Sequence, residues 1–186
     1  MTTILRHDMR HINTLRQRIT RGLVLLAVLV GLVGCTGHYP ADPEGTLDRV
    51  SGGTLRVGVS HEPPWTDTLG EGNSEEDPGG IEPQLIQDYA RSIGAEVEWH
   101  AGGEEQLTTM LEESQLDLVI GGITDESPWS SKGGLTTTYA ESLGVDGSTS
   151  KHVMVVPMGE NAFMTSLESF LLDQDIDKQL PEEMRP

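Results

Sequence analysis

Two short stretches hold most of the side chains that could meet a ligand. Ser60-His61-Glu62-Pro63-Pro64-Trp65 offers an imidazole, a carboxylate and an indole, and Gly121-Gly122-Ile123-Thr124-Asp125-Glu126-Ser127-Pro128-Trp129 adds a bare backbone, a hydroxyl, two carboxylates and a second indole. The chemistry on offer is capture. An indole face stacks on a flat or cationic group, Glu62, Asp125 or Glu126 can supply opposing charge, and paired glycines let a small molecule approach the main chain. Catalysis fits poorly. The single cysteine, Cys35, lies far from both stretches, and the six histidines (His7, His11, His38, His61, His100 and His152) lack metal-ligand spacing within a folded element. No nucleophile elbow or phosphate loop occurs. The chain reads as a binding protein and not an enzyme, with no metal or cofactor implied. Plainer readings stand beside these: Gly121-Gly122 as an ordinary turn, both rings as gap fillers under their loops, His61 as a solvated loop histidine, and Glu82 as a charge favoured at a helix amino terminus.

Regular elements must hold the two loops. Leu116-Asp117-Leu118-Val119-Ile120 is apolar apart from Asp117 and does not alternate, which suits a strand covered on both faces. Its glycines then fall at the carboxyl end, where open α/β sheets take ligands. Thr54 to Val59 alternates enough for a strand and is stopped by Pro63-Pro64. Residues 66 to 80, rich in glycine and acids, form an exposed loop. Ile81, Leu85, Ile86, Tyr89, Ala90 and Ile93 make a helical stripe closed by Gly94. A half-exposed strand follows at Ala95 to Trp99, then a helix carrying Leu107, Met110 and Leu111. With right-handed crossovers, strand-helix-strand-helix-strand gives two βαβ units and a parallel sheet. Thr124 to Ser150 is glycine-rich and poor in apolar residues. His152 to Pro157 reads as a further strand and Ala162 to Leu172 as a helix with Phe163, Leu167, Phe170 and Leu171 on one side. Residues 174–186 read as a frayed acidic tail. The expected fold class is α/β, a three-layer sandwich around a mostly parallel sheet of about four strands.

The amino end reads as an export signal. Five arginines stand against Asp8 in the first 21 residues, and Gly22 to Gly34 are then apolar or glycine throughout. As a helix those residues rise about 20 Å, short of a hydrocarbon core of roughly 30 Å, so residues 1–34 suit a cleaved signal peptide better than a membrane span. Leu32-Val33-Gly34-Cys35 resembles the lipobox of bacterial lipoproteins. The resemblance implies cleavage before Cys35 and diacylglycerol on its thiol, with a second acyl chain making the anchor stable. The expected place is the cell envelope, lipid-anchored and facing the periplasm or exterior, with residues 35–52 as a tether. Beyond Cys35 seven basic residues face 29 acidic ones, a formal charge of −22 that repels nucleic acid and anionic headgroups.

Taken together, Gly53-Thr54-Leu55-Arg56-Val57-Gly58-Val59 with Pro63-Pro64-Trp65, Gly80-Ile81-Glu82 opening a helix, and Leu116 to Thr124 resemble the first lobe of the family 3 extracellular solute-binding proteins, the receptors of amino-acid ABC transporters. His152 to Pro157, with Gly159-Glu160-Asn161 and the following helix, resembles the segment that returns to that lobe. The resemblance implies a single lobe of periplasmic-binding-protein type II over residues 53–173. Two departures matter. Full members insert a second lobe between the positions of Tyr139 and His152, where this chain has a dozen residues. The family's arginine for a ligand α-carboxylate falls, by ungapped alignment, on Trp129, and nearby Lys132 lacks the planar fork.

These readings imply a membrane-anchored receptor for a small polar solute, amino-acid-like or cationic, working with a membrane permease. The expected site residues are Trp65, Gly122, Thr124, Trp129, His61 and Glu62. The alternative is a single-lobe interaction or sensor module that binds a membrane protein, with a second chain supplying the missing lobe as a further partner. Nucleic acid is not an expected partner.

Overall fold

The strand Leu118–Ile120 shows why the run is apolar throughout. In a computed structural model, which describes residues 40–68 and 77–186, Leu118 and Ile120 point into one hydrophobic cluster and Val119 into another. A strand whose alternate residues are both buried must lie between two covering layers. The signal peptide, Cys35, the first residues of the tether and part of the 66–80 loop lie outside the described residues. No helix among the described residues is long and apolar enough to cross a membrane.

The elements, in order, are α1 (Thr46–Val50), β1 (Thr54–Val59), α2 (Ile81–Ser92), β2 (Glu96–Ala101), α3 (Glu104–Glu112), β3 (Leu118–Ile120), β4 (Gly134–Leu135), β5 (Ala140–Leu143), β6 (Thr149–His152), β7 (Val155–Val156) and α4 (Asn161–Leu172). Five strands form one sheet in the order β2-β1-β3-β7-β4, and β5 pairs with β6 in a separate ribbon. The longer ladders are parallel: β1 runs beside β2 from Thr54↔Glu96 to Val59↔Ala101, and beside β3 from Val57↔Leu118 to Val59↔Ile120. β7 joins β3 and β4 antiparallel. The sheet is therefore mostly parallel, with one strand more than the sequence suggests. The extra strand, Gly134–Leu135, is two residues long and carries no periodic signal.

α2 buries Ile81, Leu85, Ile86, Tyr89 and Ala90 against one face, together with Phe163, Leu167 and Leu171 of α4. α3 buries Leu107 and Leu111 against the other face, over Leu116, Val119, Val153 and Val155. The order β2-β1-β3 means that the chain leaves β1 in one direction and returns past it in the other. In open α/β sheets such a reversal marks the edge where ligands are taken, here the carboxyl ends of β1 and β3.

Three segments differ from the sequence-based expectation. The tether joins the fold by about Ala41: Asn161 N–H donates to the Ala41 carbonyl, Asp42 accepts from Leu47 N–H and Phe163 N–H, and Glu160 accepts from Glu44 N–H and Thr46 N–H. Burial raises the Glu160 carboxyl, but those amides outweigh it and hold the group below its usual range. The tail is packed and not frayed, because Ile176 and Leu180 are buried and Arg185 Nε donates to the Leu180 carbonyl. The glycine-rich stretch after Thr124 holds a 3-10 turn at Pro128–Ser131 and the ribbon β5–β6, whose strands join through Gly144 to Ser148.

Candidate functional site

Two loops leave the sheet side by side, after β1 and after β3. Ser60 N–H donates to the Ile120 carbonyl at 3.1 Å, extending the ladder one step into both loops. The first loop folds on itself: Glu62 and Thr66 exchange main-chain hydrogen bonds of 3.0 Å, and Thr66 Oγ1 donates to the Ser60 carbonyl. The second is sewn to the ribbon through Val153 N–H to the Ile123 carbonyl at 2.9 Å and Asp125 N–H to the Lys151 carbonyl at 3.0 Å.

Gly121 and Gly122 are both required. A Cβ on Gly121, whose φ is +154°, would stand 1.7 Å from Ser60 Oγ and, with that hydroxyl rotated away, still 3.0 Å from Ser60 Cβ. Gly122 has φ +63°, and a Cβ there would meet Trp65 Cδ1 at 2.9 Å and Glu62 Cγ at 3.0 Å. The left-handed backbone alone costs a non-glycine residue about 1–2 kcal/mol. Gly122→Ala should therefore lower the melting temperature by about 4 °C, at roughly 2–4 °C per kcal/mol for a chain of this size, and shift the tryptophan emission as Trp65 is displaced. An unchanged melt and spectrum would show that the two loops are not in contact.

Behind the glycines lies a buried polar cluster. Gly122 N–H donates to both oxygens of Glu82, at 3.2 and 3.1 Å, and Tyr139 Oη donates to Glu82 Oε1. Glu82 is fully enclosed at the start of α2. Burial pushes its carboxyl up to about 7, against the opposing pull of the Tyr139 hydroxyl and the Gly122 and Gly121 amides. Burial and the neighbouring carboxylate push the Tyr139 hydroxyl well above its usual value. The Gly122 carbonyl accepts from His152 Nδ1 at 3.1 Å, and Ser142 Oγ lies 2.8 Å from His152 Nε2. Burial lowers the His152 value, partly offset by the Gly122 carbonyl and by Asp125.

The expected site residues are placed as follows. Trp65, only 3% exposed, lies against the His152 ring at 3.8 Å between centroids and meets Tyr139 edge-on at 6.2 Å. Gly122, Thr124, His61 and Glu62 surround the same sheet edge; Thr124 bridges to His152, and His61 Nδ1 accepts from Thr68 N–H and sits 3.6 Å from Asp67. Trp129 is not brought to Trp65. Its ring packs on the α3 side of the sheet and Nε1 donates to Glu104 Oε2 at 2.6 Å, while Lys132 donates to Thr109 Oγ1. Trp65 and Trp129, both expected at one site, do not meet, because Pro128 starts a 3-10 turn that carries Trp129 to α3. Tyr139, Ser142 and His152 lie outside the expected site residues, and Glu82, which the sequence suggests only as a helix-terminal charge, stands at the centre of the cluster.

No protein-family model matches the sequence, and no curated protein matches it. Solved structures do. A point variant of domain 1 of TmArgBP, from T. maritima, in its arginine-bound form is 23% identical, with a TM-score of 0.58 over 72% of this chain and 99% of that one. The L-cystine solute receptor of Neisseria gonorrhoeae, in an unliganded open conformation, is 12% identical, with a TM-score of 0.56 over 72% of this chain and 92% of that one. A Bacillus subtilis protein is 12% identical, with a TM-score of 0.58 over 75% and 90%. Identities this low speak to architecture and not to activity. The chain has the α/β fold of a periplasmic-binding-protein lobe, built on a mostly parallel sheet.

Proposed function

We propose that this protein is a solute-binding lobe of the family 3 receptor type, which captures a small polar solute, amino-acid-like or cationic, at the carboxyl ends of β1 and β3. The observation that carries the reading is the arrangement of two loops at one sheet edge, where half-buried Gly122 and Thr124 lie beside the exposed side chains of Glu62 and His61. A domain of the same fold exists in an arginine-bound form, which supports binding by one lobe. Trp65 forms the floor beneath Gly122, and Trp129 braces α3. With Trp129 at the arginine's aligned position and Lys132 turned to Thr109, the solute is not gripped by a guanidinium fork.

The test is thermal melting with tryptophan fluorescence of the full chain against arginine, cystine, other amino acids and polyamines. One of these should raise the melting temperature saturably by about 5 °C at a hundredfold excess over Kd, with the effect weakened in Thr124→Val. Trp129→Ala should lower the basal melting temperature by removing packing from α3 while leaving the solute-induced shift intact. A panel that moves neither signal at millimolar concentration would exclude solute capture.

The second reading, a lipoprotein interaction or sensor module bound to a membrane protein, draws support from one observation. Trp65 is buried and Trp129 hydrogen-bonded within the fold, so neither indole is free to stack on a solute. In both readings Cys35 carries the lipid and the protein works at the membrane face of the cell envelope, beside a permease or another membrane protein. Cys35→Ser should move the protein from the membrane pellet to the soluble fraction; retention in the pellet would contradict the anchor.

A further inference from the structure

We propose that Glu82, Tyr139 and His152 form a proton-operated latch on Gly122, so that the β1/β3 edge changes its hold with pH. The latch grips one residue from both ends. The Gly122 N–H points at the Glu82 carboxyl, shared between its two oxygens, and the Gly122 carbonyl faces His152 Nδ1. A carbonyl only accepts, so Nδ1 carries the hydrogen, and Nε2 is left to accept from the Ser142 hydroxyl. Tyr139 donates to the same carboxyl that holds the amide. All four side chains are buried, so water cannot stand in for a lost partner.

Protonation changes these roles. An ionised Glu82 only accepts, and it takes the Gly122 N–H and the Tyr139 O–H in charge-assisted bonds. A protonated Glu82 must also donate, and the Tyr139 oxygen beside it is the acceptor within reach. The tyrosine–glutamate bond then reverses, the phenol hydrogen loses its partner, and the Gly122 amide keeps a weaker, neutral acceptor. The groups facing Glu82 are Tyr139 ahead of β5 and the two glycine amides after β3. Those facing His152 are Ser142 on β5, Asp125 after β3 and the Trp65 ring after β1, with Glu62 lying against Gly122 from the same loop as Trp65. Burial brings the Glu82 transition to about 7 and lowers that of His152. On acidification the carboxyl end therefore loosens first and the imidazole end later. The latch needs no solute, so it stands or falls apart from the solute-binding reading.

Proton–nitrogen NMR spectra of the full chain between pH 5.5 and 9 test it. The Gly122 amide proton should move upfield as the pH falls, with a midpoint near 7. Removing the tyrosine donor in Tyr139→Phe takes away a bond that favours the ionised carboxyl, so the midpoint should rise. Glu82→Gln should leave the shift flat. Imidazole nitrogen shifts should give His152 as the Nδ1–H tautomer at pH 8. A Gly122 shift that is flat in the folded wild type, a midpoint unmoved by Tyr139→Phe, a titration that survives Glu82→Gln, or a His152 Nε2–H tautomer would each overturn the latch.

Discussion

Asp117→Ala should be among the most damaging single substitutions in this protein, costing about 3 kcal/mol at neutral pH. The side chain is fully enclosed, and its oxygens accept from Arg56 N–H at 2.9 Å, Arg56 Nε at 3.1 Å, and the Arg56 and Arg49 guanidiniums at 2.6 Å each. One carboxylate thereby ties α1, β1 and the entry to β3. Breaking a buried ion pair by removing one partner costs about 3–5 kcal/mol. The low end applies because the arginines keep 28% and 44% side-chain exposure and can rehydrate. Asp117→Asn, which keeps the shape and one acceptor, should lose less. Burial pushes the Asp117 carboxyl up, but the Arg56 and Arg49 hydrogen bonds outweigh it and hold the group below the usual carboxylate range. Its stabilisation is therefore complete above the unfolded-state value and is lost as the pH falls through the lower folded-state value. Urea unfolding should show a lower midpoint with an unchanged slope. A midpoint within experimental error of the wild type would show that the enclosed carboxylate contributes nothing.

Glu82→Gln should act in the opposite direction. The folded-state value near 7 lies above the ordinary 4.5, so the folded protein holds the proton more tightly than the unfolded chain does. The contribution is fully present below pH 4.5 and is lost as the pH rises through 7. By pH 8 the ionised, enclosed carboxylate costs on the order of 3 kcal/mol relative to its neutral form. Glutamine keeps an oxygen for the Gly122 amide and an NH2 that can donate to Tyr139 Oη, and it carries no charge to bury. The variant should be more stable than the wild type at pH 8, by up to several degrees in melting temperature, and should lose that advantage at pH 5. A variant less stable than the wild type at both values would mean that Glu82 is held as a solvated charge. The stability gain and the loosened latch are compatible: a neutral group at position 82 suits the fold as a whole while gripping Gly122 less firmly.

The sequence disclosed what periodicity can disclose. β1, α2, α3 and α4 carry alternation or a 3.6-residue stripe over long enough runs, from Thr54–Val59 to Asn161–Leu172, and β3 shows instead as an apolar run that does not alternate. β4 and β5 do not, since Gly134–Leu135 is two residues and Ala140-Glu141-Ser142-Leu143 is as polar as a loop. The packed tail escaped because Ile176 and Leu180 are isolated among acids, and Asp42 reads as tether polarity until its amide partners are seen. At the site, the glycine pair and its loop were legible from the end of an apolar run. The cluster behind it was not: Glu82 and Tyr139 are 57 residues apart, and Gly122 and His152 are 30 apart. Contacts of that range are set by topology and leave no local pattern. Trp129 misled for the related reason that an ungapped alignment fixes a position in the sequence but not the direction in which a turn sends the ring.

A small solute bound at the carboxyl ends of β1 and β3 would leave its mark on the amides of the two loops there. Amide chemical-shift mapping of the full chain during titration with arginine, cystine or a polyamine tests it most directly. One of these should move the Ser60 to Trp65 and Gly121 to Asp125 amides together along a saturable curve, leaving β2 and the carboxyl-terminal turns still. Saturable shifts confined to another face, or none at millimolar concentration in a well-folded sample, would contradict it.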